Sequence, residues 1–86
     1  MASFKIEWKP SAVKELRRLP REMVTRIVNA VAQLAQNPFP PASKKLVGSQ
    51  HTYRIREGDY RIVYDVTSNT LTIEIIRVAR RRDVYR

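Results

Sequence analysis

Residues 53–64 read YRIREGDYRIVY, from Tyr53 to Tyr64. Apolar and charged side chains alternate into Gly58-Asp59 and alternate again on the way out. A period of two is the signature of a half-buried strand, and a short Gly-Asp joint between two such runs predicts a β-hairpin. Because successive strand residues point to opposite faces, the loop decides which side chains meet. With Glu57-Gly58 as the loop, Arg54 lies opposite Arg61. With Gly58-Asp59 as the loop, Arg56 does. Both registers collect Arg54, Arg56 and Arg61 on one face and leave the apolar residues on the other; a three-residue loop would break that parity.

Outward from the hairpin, residues 52–56, 60–66 and 71–78 alternate and are rich in β-branched and aromatic side chains, with turns at Glu57-Gly58-Asp59 and at Thr67-Ser68-Asn69-Thr70. Near the start, Phe4, Ile6 and Trp8 alternate with Lys5, Glu7 and Lys9, which predicts another strand. Pro10-Ser11 breaks it and opens a helix, with Ser11 available as a cap. Val13 and Leu16 face inward, and Pro20 interrupts the helix and begins the next in its first turn. Residues 21–36 carry Met23, Val24, Ile27, Val28, Val31, Leu34 and Ala35 at three- and four-residue spacing, an amphipathic helix. Asn37-Pro38 ends it, and FPPASKKLVGSQ reads as a loop.

The expected fold class is therefore α+β in the order β-α-α-β-β-β. An antiparallel two-helix hairpin packs on one face of a four-stranded, largely antiparallel sheet. Tyr53, Ile55, Tyr60, Ile62, Tyr64, Val66, Leu71, Ile73 and Ile75 are the expected helix-facing set. Burial of that face, at roughly 25 cal/mol per Å² of apolar surface, is the main force for folding.

The 86 residues form one domain, 1–86, with no repeat and no low-complexity linker. There is no cysteine, hence no disulfide and no thiolate nucleophile. Charges at Lys5, Glu7, Lys9, Lys14 and Glu15 leave no apolar run for a signal peptide, and no stretch approaches the ~20 apolar residues of a membrane span. A soluble cytoplasmic protein is expected, with no membrane partner. Seventeen Lys and Arg against eight Asp and Glu give a net charge of +9, which points to an anionic partner, nucleic acid or acidic protein. The charge is uneven, with five arginines and one aspartate in residues 77–86.

Like charges facing one another across a sheet cost a fraction of a kcal/mol. Asp65, Glu74, Glu57 and solvent offer one way to neutralise Arg54, Arg56 and Arg61. The alternative is an anion site, since planar guanidinium forks match phosphate oxygens. The run from Arg80 through Arg81 and Arg82 to Tyr85 follows the last strand. It reads either as a frayed basic tail or as a segment returning Arg81 and Tyr85 over the same face, where a tyrosine can stack a base.

The sequence has no P-loop, no dinucleotide fingerprint and no HExxH, and His51 with scattered carboxylates gives no metal-ligand spacing, so no cofactor or metal is expected. RNA carries its own nucleophile, the 2′-hydroxyl. A protein that aligns it on the adjacent phosphate and stabilises the added negative charge needs little else besides a proton acceptor. Arginine cannot accept that proton. Tyr85 can if surrounding cations lower its pKa, and Lys44, Lys45 or His51 can if their loop folds over, although His51 reads as an exposed loop residue.

At this point the chain resembles the RelE/ParE superfamily of toxins from type II toxin–antitoxin pairs over nearly its whole length. The resemblance rests on the amphipathic helix pair, KKLVG (Lys44 to Gly48), YRIREGDYRIVYDV (Tyr53 to Val66) and IRVARRRDVY (Ile76 to Tyr85). It implies a RelE-like fold and, on the RelE side, a metal-independent mRNA endonuclease acting in the ribosome by 2′-hydroxyl attack. Carried across, it marks Arg54, Arg56, Arg61, Arg81 and Tyr85 as catalytic, with Lys44, Lys45, Arg80 and Arg82 contacting RNA. In the RelE pattern lysines stand where Arg54 and Arg56 stand here, one of them a proposed base, so Tyr85 or water is left to take the proton. The resemblance also implies an antitoxin partner, acidic or with an acidic segment, in a hetero-oligomer. Two other readings fit the chain: a ParE-like inhibitor of DNA gyrase, and a basic RNA- or ribosome-binding module without catalysis.

Overall fold

The computed structural model describes residues 3–81. Strand β1 (Lys5–Trp8) leads into helix α1 (Pro10–Arg17) and helix α2 (Arg21–Leu34). Strands β2 (Lys44–Lys45), β3 (Thr52–Glu57), β4 (Tyr60–Thr67) and β5 (Thr72–Arg80) follow. The sheet order is β1-β5-β4-β3-β2. The expected α+β layering is present, with one correction to the sheet. It has five strands rather than four, because Lys44 and Lys45 pair antiparallel with Arg54 and Tyr53 in a stretch that reads as loop. Two residues carry no periodicity to detect. The sheet is largely antiparallel, as expected, with a parallel seam where β1 runs alongside β5 from Lys5↔Thr72 to Trp8↔Ile75. Parallel neighbours need a long connection, and here both helices and three strands supply it.

Pro10 occupies the first turn of α1, where its missing N–H costs nothing. The cap is Lys9, without a side-chain capping bond, so Ser11 does not play the expected role. Pro20 is the N-cap of α2 rather than a first-turn residue, and its carbonyl accepts the Met23 and Val24 amides at 2.9 and 3.0 Å. The helix closes two residues earlier than its apolar stripe suggests. Ala35 and Gln36 donate three residues back, to Ala32 and Gln33, which tightens the last turn.

Ala12, Ile27, Val31 and Leu34 from the helices meet Ile55, Ile62, Tyr64, Val66, Ile73, Ile75 and Val78 from the sheet in one buried core. Leu71 departs from expectation. It adopts a left-handed φ of 49° beside the 3₁₀ turn Ser68–Thr70 and remains exposed. A turn residue forced to φ > 0 cannot also supply a strand-facing side chain.

Beyond Ile75 strand β1 has ended, and the edge of β5 is covered instead by α1. Lys9 donates its amide to the Ile75 carbonyl at 3.0 Å, and the Glu15 carboxylate accepts the Val78 amide at 2.8 Å. A side chain thus satisfies a strand-edge donor that would otherwise invite pairing. A bulge at Ile76 lies opposite the step from Val63 to Tyr64, and it shifts the parity of β5.

Candidate functional site: a basic sheet face

The pairing Glu57↔Tyr60 makes Gly58-Asp59 the two-residue loop of the β3–β4 hairpin. Gly58 has φ +60° while Asp59 is not left-handed, the type II′ pattern in which glycine leads. This turn sets Arg56 opposite Arg61 and Arg54 opposite Val63. Strand alternation then places Arg54, Arg56 and Arg61 on the face away from the helices. Lys44, paired with Arg54, extends the same row onto β2.

Burial divides this row. Arg54 and Arg61 are 6% and 2% exposed, while Arg56 is exposed. None of the ion pairs among the described residues ties a carboxylate to Arg54. Of the acids expected to neutralise the row, Glu57 and Asp65 have other partners and Glu74 lies far from the turn. Glu57 points to the helix side, where its carboxylate accepts Arg26 at 2.8 Å. Asp65 accepts the Thr52 hydroxyl and lies 3.5 Å from His51 Nδ1. Glu74 pairs with Asp65 in register, so both sit at the far end of the sheet from the turn. The face is therefore polarised, basic toward the hairpin turn and acidic away from it.

Arg81 ends up beside that turn. Its amide donates to the Asp59 carbonyl at 2.9 Å, which carries the exit of β5 back to the hairpin loop. Arg82 and Tyr85 lie outside the described residues. Two of the expected RNA contacts fall on the other side: Lys45 pairs with Tyr53 and Arg80 with Tyr60, both helix-facing positions. Their parity, one residue from Lys44 and Arg81, explains the separation. His51 is exposed and stands with Asp65, away from the arginine row.

Arg77 is a contributor that sequence reading does not single out. Arg77 pairs with Val63 in register, and its Nε lies 3.5 Å from Glu15 on α1. The bulge at Ile76 alters its parity, and bulges leave little trace in a sequence. Tyr64, expected on the helix-facing side, is wholly buried there, and its hydroxyl donates to the Pro38 carbonyl at 2.8 Å. Tyr53 stacks on Tyr64 with ring centres 6.1 Å apart, and Phe39 meets Tyr53 edge-on at 4.9 Å. This ladder pins the segment that leads into β2 and so holds Lys44 beside Arg54. Burial pushes the Tyr64 phenol up to about 12.

Chemically, a row of guanidinium groups and one ammonium on a rigid sheet suits a polyanion backbone, and bidentate forks favour phosphate. No helix among the described residues is long and apolar enough to cross a membrane.

Residues 6–85 match a family model described as the ParE toxin of the type II toxin–antitoxin system parDE. The chain is 30% identical over 86 residues to RelE1 of Methanocaldococcus jannaschii, covering 96% of each chain. It is 29% identical over 87 residues to toxin RelG of Mycobacterium tuberculosis, covering 96% of this chain and 97% of that one. Among solved structures, the archaeal RelE–RelB complex of Pyrococcus horikoshii matches with a TM-score of 0.83 at 28% identity, over 92% of this chain and 96% of that chain.

Proposed function

The chain belongs to the RelE/ParE family of type II toxin–antitoxin toxins, and from that membership we propose that it is a ribosome-dependent, metal-independent mRNA endonuclease. The observation that carries this reading is the register of the β3–β4 hairpin, which aligns Arg54, Arg56 and Arg61 with Lys44 on one sheet face. In the reaction, the 2′-oxygen of one ribonucleotide attacks the adjacent phosphorus. The bond from phosphorus to the 5′-oxygen breaks, and that oxygen leaves with a proton. The products are a 2′,3′-cyclic phosphate and a 5′-hydroxyl. The guanidinium groups stabilise the charge that builds on the non-bridging oxygens, where fixed donors lower a barrier most. Arginine stays protonated throughout, so proton transfer falls to Tyr85, to Lys44 or to water. Of the loop candidates, Lys44 is the one in register with the row.

The partner is an antitoxin. The Pyrococcus horikoshii relative is seen with RelB, and a chain of net charge +9 attracts an acidic segment that would cover the basic face. Toxin and antitoxin would form a hetero-oligomer in the cytoplasm.

The test is cleavage of messenger RNA on programmed ribosomes in the presence of a chelator, with the new ends mapped. Cyclic or 3′-phosphate ends are expected, and Arg61→Ala or Arg81→Ala should slow cleavage at least about tenfold, roughly 1.4 kcal/mol of barrier. Wild-type rates in both variants would exclude the mechanism. The match to a ParE description supports a second reading, inhibition of DNA gyrase by protein contact. Gyrase-linked DNA breaks with intact messenger RNA would establish it instead.

A further inference from the structure

A second basic feature lies round the edge of the sheet from the arginine row. Between the end of α1 and strand β5 there is an open cleft of about 300 Å³ whose walls include Arg18, Arg77, Arg80, Leu19, Tyr60 and Glu15. Three guanidinium groups face one carboxylate. That carboxylate is committed, since Glu15 accepts the Val78 amide at 2.8 Å and lies 3.5 Å from Arg77 Nε. No carboxylate among the described residues pairs with Arg18. Lys14, four residues before Arg18, lies on the same side of α1 and adds to its positive charge. Tyr60 is half-buried, packed against the core on one side and lining the cleft on the other.

The cleft and the arginine row both reach the hairpin-turn end of the sheet. Tyr60 and Arg61 are consecutive, as are Arg80 and Arg81, so each pair divides between the cleft and the opposite face or the turn. Arg81 is tied to the hairpin turn through the Asp59 carbonyl. A chain crossing the arginine row and leaving past this end of the sheet has the cleft within reach. Forked donors beside an aromatic wall suit a backbone phosphate and its base, the combination that binds single strands without reading sequence.

We propose that this cleft is a flanking subsite for single-stranded RNA, holding a phosphate at Arg18 and Arg77 and a base against Tyr60. It would extend the grip on the strand that occupies the arginine row, and it rests on reading that row as an RNA site. The cleft binds a phosphodiester; an acidic peptide is the competing occupant.

The test uses the full chain with two fully 2′-O-methylated, uncleavable probes, an octanucleotide and a dinucleotide, titrated by NMR at several salt concentrations. Arg18→Ala alters an exposed position, and circular dichroism checks its fold. It should weaken the octanucleotide about fivefold, lower its salt slope by about 0.7, and leave the dinucleotide unchanged. Arg18→Lys should keep most of the slope. An unchanged octanucleotide overturns the proposal, as does an equal loss for both probes, which signals only bulk charge. Loss of binding to an acidic peptide with the octanucleotide unaffected assigns the cleft to a protein. Arg61→Ala separates the two readings: if it leaves the dinucleotide untouched while the Arg18 effect persists, the arginine row fails as an RNA site and the cleft stands.

Discussion

Arg56 stands directly across the hairpin from Arg61, with Arg61 only 2% exposed. Like charges paired across strands are unfavourable by a fraction of a kcal/mol, so this register has to be imposed by something stronger. The apolar residues of the opposite face and the turn at Gly58-Asp59 impose it together.

Gly58 is the point at which that arrangement can be broken without touching a charge. At φ +60° an added Cβ would be strained, and it would come within 3.3 Å of Met23 Cε. The methionine tip can move, so the backbone sets the cost. Gly58→Ala should lose about 1–2 kcal/mol in urea unfolding and should reduce RNA cleavage beyond the loss of folded protein. Unaltered stability would show that the turn does not hold the register.

Arg54 is 6% exposed and has no carboxylate partner among the described residues. Replacing a buried charge with an apolar side chain of similar length is often neutral or stabilising. Arg54→Met is expected to raise unfolding free energy by about 1 kcal/mol while weakening RNA binding and flattening its salt dependence. A variant that is less stable and binds RNA as before would mean that Arg54 serves packing alone.

Much of this face was legible because strand parity is a rigid rule. Once Arg54, Arg56 and Arg61 flank a two-residue loop, their shared side follows without coordinates. The helix stripe through Ile27, Val31 and Leu34 was equally plain. Pairing across long separations was not. Nothing local in Lys44-Lys45 announces a strand, and nothing in β1 announces a parallel partner near the other end of the chain. Leu71 has the spacing of a core residue, whereas the turn requires a left-handed residue there. Lys45 and Arg80 share the charge of their neighbours Lys44 and Arg81, but alternation sends them to the opposite side.

Tyr64 links stability to alkaline pH. Burial raises its phenol from 10.0 to about 12, so the folded state holds the proton more tightly than the unfolded chain. That contribution is complete below the unfolded value and is lost as pH climbs from 10.0 through about 12. It amounts to about 2–3 kcal/mol. Tyr64→Phe should remove this part of the alkaline decline. It should also cost about 1–2 kcal/mol at neutral pH, because the buried Pro38 carbonyl loses its donor. Hydrogen exchange should report faster opening at Ser43 and Leu46, whose amides bond Pro40 and Thr52. Identical pH curves for the two proteins would rule out Tyr64 as the source.

Lys44 can be tested as proton acceptor or as fixed charge. Lys44→Arg retains the cation and cannot accept a proton. If Lys44 only attracts phosphate, the arginine variant should cleave near the wild-type rate and Lys44→Ala about tenfold more slowly. If it accepts the proton, both should be slow, and only the arginine variant should bind RNA normally. Equal activity in all three proteins would remove Lys44 from the site.

The parallel seam between β1 and β5 joins residues 5–8 to residues 72–75. During synthesis the first strand emerges with its partner still unmade, and the hairpin bearing the arginines can close before the sheet is sealed. The last seam waits until residues 72–75 have cleared the exit tunnel. For a molecule proposed to attack translation, this chain order withholds the finished sheet until its fifth strand has left the ribosome.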